Sequence, residues 1–138
     1  MSGKTYWMIR QHFYVGHYWE VTVYYDLNFG LFQYIEEELA DMGFLSDDIE
    51  DIFYELESGN AKAVTCSNLY YHTSIILLSP HTSPQDYLDS IVHEAEHVKQ
   101  AMLKAYKVED RGEAPAYTIG YLISRMYPVF KSIICNCR

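Results

Sequence analysis

From Tyr18 to Tyr25 the chain alternates, with Trp19, Val21, Val23 and Tyr25 set against Glu20, Thr22 and Tyr24. That is the period of a half-buried strand. Residues Tyr6 to Val15 are expected to pair with it across Gly16 and His17. The period then lengthens: Leu31, Ile35, Leu39 and Met42 recur at helical spacing, and Gly43 supplies a stop. Ser46 reads as the N-cap of a second helix, with Asp47 and Asp48 suited to its positive end. Its apolar stripe is Ile49, Ile52, Phe53 and Leu56, and Ser58, Gly59 and Asn60 end it.

Lys62 to Cys66 and Tyr70 to Leu78 read as two strands joined by a turn near Ser67 and Asn68. Next comes a strong helix start. Ser83 is the N-cap, Pro84 takes the first helical position, and Asp86 follows three residues after the cap. This helix is expected to run to about Tyr106, followed by a polar connection, Lys107 to Gly112. A last helix is expected from about Glu113 to Met126, with Pro115 tolerated in its first turn and Pro128 near its end. The pattern predicts an α+β fold with a short, mostly antiparallel sheet.

At 138 residues the chain fits one domain, residues 1–138, with one core. With 49% hydrophobic residues and 14 tyrosines it can bury that core, which argues against disorder. Net charge is −9, and its distribution is uneven: Gln11 to Ala61 holds twelve Asp and Glu and no Lys or Arg. Nucleic acid is an unsuitable partner for such a surface, since binding it requires basic groups that displace counterions. The acidic stretch reads either as a solvated helical face or as a field that attracts a basic protein partner.

Cys66, Cys135 and Cys137 are odd in number, and the last two are too close in sequence to bridge easily. With no long apolar run at Met1 to Arg10 and none approaching the roughly 18 residues of a membrane span, a cytoplasmic location is expected. Gly3-Lys4-Thr5 suggests a phosphate loop, but the first glycine and the preceding strand are missing.

The chemistry lies in His93-Glu94-Ala95-Glu96-His97, a match to H-E-x-x-H. On a helix, residues i and i+4 lie one above the other, so both imidazoles can reach one zinc ion. At about 100° per residue, Leu88, Ile91, Ala95, Val98, Met102 and Ala105 form one stripe, and the histidines lie far around the helix from it. The stripe faces the core, and the histidines face a cleft. Glu94 sits between the two, suited to take a proton from water without itself binding the ion.

Catalytic zinc commonly has three protein ligands and one open position, so a third ligand is required. Glu113 is the expected one, because it opens the next helix after a short connection; it also suits a helix N-terminus or a capping partnership with Asp110. Tyr117, four residues on, could donate to an oxyanion or simply pack. His72 and His81 are the alternative ligands.

His93, Glu94 and His97, followed by Glu113-Ala114-Pro115-Ala116-Tyr117, resemble the gluzincin branch of the zincin metallopeptidases. The Glu113 and Ala116 pair is similar to the Glu-x-x-Ala string of the small ImmA and IrrE group, and the likeness extends to zincin-like proteins of phages and mobile elements. It covers about Leu77 to Met126. The resemblance implies a small zincin-like fold, zinc on His93, His97 and Glu113, and Glu94 as general base. It also implies that a strand within Tyr70 to Leu78 aligns a peptide or protein substrate. The expected function is therefore zinc-dependent peptide hydrolysis. The alternative is a non-catalytic zincin-fold protein that acts by contact with a partner.

Overall fold

The computed structural model describes residues 8–16 and 18–135, so Gly3-Lys4-Thr5, His17 and Cys137 lie outside the described residues. Strand β1 (Ile9–Val15) pairs antiparallel with β2 (Trp19–Tyr25), and Gly16 between them has φ of 64°. Beyond a short 3-10 turn at Phe29–Leu31 come α1 (Phe32–Asp41) and α2 (Ser46–Glu57). Strands β3 (Ala63–Asn68) and β4 (Thr73–Leu78) follow, then two long helices, α3 (Pro84–Tyr106) and α4 (Glu113–Cys135).

The sheet order is β1-β2-β4-β3, with β2 and β4 parallel and the two outer pairs antiparallel. The sheet is therefore mixed, within the expected α+β class. Alternation distributes its side chains to two cores. Val21, Val23, Tyr25, Ile76 and Leu78 pack under α3 and α4, and Tyr24, Ile75, Leu77 and Cys66 pack under α1 and α2. The expected stripe of α3 is the one that packs: Ile91, Ala95, Val98 and Met102 are buried, and Leu88 and Ala105 lie against the same core.

Three boundaries differ from expectation. Ser46 is the first helical residue of α2 and not its cap, a place taken by Leu45 without a side-chain bond. The β3–β4 turn falls later than Ser67 and Asn68, because the Asn68 side chain accepts hydrogen bonds from the backbone N–H groups of Tyr70 and Tyr71 and folds the chain there. Helix α4 does not stop near Pro128 but continues to Cys135. A proline inside a helix costs about 3 kcal/mol. Phe130 and Ile133, buried on the same face as Leu122 and Met126, offset that by roughly 1.5–3 kcal/mol each.

The edge strand matters for the site. Ser79 donates its N–H to the Lys62 carbonyl at 2.9 Å, and this pair continues the register of Ala63 with Leu78. In an antiparallel ladder such pairs alternate, so the backbone groups of Ala63, Thr65 and Ser67 point away from β4 toward the outer edge. Among the described residues no fifth strand pairs there. No helix of the described residues is long and apolar enough to cross a membrane.

Candidate metal centre

Ser83 accepts a hydrogen bond from the Asp86 N–H at 3.1 Å and Pro84 opens α3, so the local signals that predict this helix also fix its rotation. With the apolar stripe on the core, His93 and His97 project outward, exposed, in line with Gln100 and Lys104. Their Nε2 atoms are 3.2 Å apart. Two nitrogens bound to one tetrahedral zinc at about 2.0–2.1 Å would stand about 3.3 Å apart. The separation is thus compatible with a shared zinc ion, and it is also a hydrogen-bond distance between the two rings, whose planes lie 80° apart.

Glu94 lies on the β3 side of the same groove and is only 5% exposed. Its Oε1 accepts a hydrogen bond from the Thr65 hydroxyl at 2.7 Å. A second chain of bonds lies beside it: buried Trp19 Nε1 donates to Ser74 Oγ at 3.0 Å, and Ser74 Oγ is 2.7 Å from Ser67 Oγ. Thr65 and Ser67 from β3, Leu69 from the turn after it, and His93, Glu94, His97, Gln100 and Lys104 from α3 line one open groove of about 550 Å³. Sequence reasoning missed Thr65. Alternation along β3 places it on the face turned to α3, but no local spacing announces the bond to Glu94.

The remaining candidates lie elsewhere. Glu113 is the first residue of α4, exposed and outside the groove, while Asp110 before it binds the Lys99 ammonium at 3.0 Å. Tyr117 is 72% exposed and lines a separate hollow with Met102, Tyr106 and Tyr121. His72 lies at the β3–β4 turn, stacked on Trp19 with ring centroids 5.3 Å apart. His81 has both ring nitrogens engaged, by the Ser79 carbonyl and the Ser90 hydroxyl, and stacks on Tyr87. Among the described residues no three His, Cys, Asp or Glu side chains form a cluster able to hold a metal ion.

Burial pushes the Cys66 thiol up to about 12, and the negative charge of Glu94 adds to the effect. Cys66 is buried in the core on the α1 and α2 side of the sheet. β4, the strand expected to align a substrate, is paired on both sides and has no free edge; among the described residues β3 is the edge strand beside the histidines. Comparisons with family models, curated proteins and solved structures gave no match.

Proposed function

We propose that the chain is a zinc-dependent hydrolase of zincin type that cleaves peptide bonds. The observation that carries the reading is the 3.2 Å separation of the His93 and His97 Nε2 atoms on an open groove. His93 and His97 would hold the ion. When bound, zinc lowers the pKa of water to about 7 and polarises a carbonyl.

The chain's own residues supply the rest. Glu94 takes the proton from the attacking water and returns it to the leaving nitrogen. Thr65 binds Oε1 and so fixes the carboxylate, leaving Oε2 for the proton. The outer backbone groups of Ala63, Thr65 and Ser67 suit an extended peptide, which can add to β3 as a further strand and bring its carbonyl over the histidines. That edge favours a peptide over a small ester. Glu113, the third ligand expected from its place at the start of α4 and from the resemblance, does not line the groove, so the two histidines alone carry the proposed site.

The acidic surface of α1 and α2 favours a second reading, a protein that acts by contact with a basic partner. Glu94→Gln separates the two. The variant should keep its zinc and lose hydrolysis of a mixed peptide pool by about 100-fold or more. Full activity in the variant would overturn the proposal, and an unaltered biological effect without hydrolysis would favour contact.

A further inference from the structure

On the side of the sheet opposite α3, α1 and α2 enclose a hollow of about 220 Å³. Phe29, Phe32, Ile49 and Phe53 line it, and Glu36 and Glu50 stand at its rim. The Phe53 ring lies 4.5 Å from that of Phe32 and 5.7 Å from that of Phe29, so the walls are packed aromatic surfaces. Phe29 and Phe53 stay partly exposed.

Every charged side chain on α1 and α2 is acidic. Such crowding opposes folding through self-repulsion, so packing does not account for it. Arg10 neutralises Glu38 through Nε and an Nη, but Glu36 and Glu50 have no ion-pair partner among the described residues. An aromatic-lined hollow flanked by two unneutralised carboxylates repels a second copy of itself, an anionic lipid surface and nucleic acid alike. It suits a cation that carries an apolar group.

We propose that this face docks a basic amphipathic helix of a protein partner. One large apolar side chain of that helix fills the space between Phe29, Ile49 and Phe53. Lysines or arginines one turn to either side meet Glu36 and Glu50, the arrangement by which a helix lays an anchor and flanking charges onto a groove. This surface is independent of the metal centre.

The probe is a fluorescent, lysine-rich helical peptide with one central tryptophan, compared by anisotropy with the same peptide carrying alanine there. The native chain should bind the tryptophan peptide about tenfold or more tightly, the expected return of burying one aromatic anchor. Glu36→Lys with Glu50→Lys should weaken binding about tenfold. Asp89→Lys with Glu109→Lys, an equal change in net charge on α3 and the connection after it, should weaken it less than threefold. Circular dichroism on both variants confirms that the fold is kept. Equal losses in the two double variants would reduce the effect to a general field and overturn the proposal. So would no advantage for tryptophan, or no binding to the native chain.

Discussion

Thr65 on β3 donates its hydroxyl hydrogen to Oε1 of Glu94 on α3 at 2.7 Å, tying the edge strand to the motif helix where both meet the groove. Thr65→Val keeps the shape and removes the donor. Glu94 is buried, so its carboxylate would then lack a protein partner, at a cost of about 1–3 kcal/mol. Urea unfolding of the two proteins should show that loss. Equal stability would mean that water already satisfies Glu94, and that Thr65 does not hold it.

Arg10 and Glu38 join β1 to α1, with Tyr24 bonded to the same carboxylate. Burial pushes the Glu38 carboxyl up, but the hydrogen bonds from Arg10 and Tyr24 outweigh it and hold the group below its usual range. A lowered folded value means a contribution fully present above the unfolded value of about 4.3 and lost as pH falls through the folded one. The stability difference between native chain and Glu38→Gln should therefore stay level from pH 8 to 6 and shrink below about pH 4. A difference that persists undiminished to pH 2 would contradict the assignment.

Local signals made some elements legible and not others. Ser83, Pro84 and the stripe from Leu88 to Ala105 specify α3 and its rotation, so the outward direction of His93 and His97 follows from sequence. Pro128 gives a local stop signal that is overridden when Phe130 and Ile133 pack into a core built with residues of the sheet and α3, which no short window contains. Likewise Asn68 moves a turn through side-chain bonds to Tyr70 and Tyr71. At the site, an i, i+4 pair is a property of one helix, whereas Thr65 meets Glu94 across 29 residues of chain. The β3 edge depends on β4 pairing with β2, a choice made by the whole sheet.

Glu113 distinguishes the resemblance from the geometry. Because it is exposed and outside the groove, Glu113→Ala should leave zinc affinity within about twofold if two histidines hold the ion. A loss of tenfold or more by competition against a chelating dye would make it the third ligand after all.

The central claim is that His93 and His97 together hold zinc. Calorimetric titration with zinc tests it most directly, on a chain with Cys135 and Cys137 replaced by serine so that no thiolate contributes. One zinc per chain should bind, and His93→Ala or His97→Ala should each abolish or sharply weaken that binding, while His81→Ala leaves it unchanged. Absence of uptake by the parent chain, or undiminished uptake by either motif variant, would contradict the account.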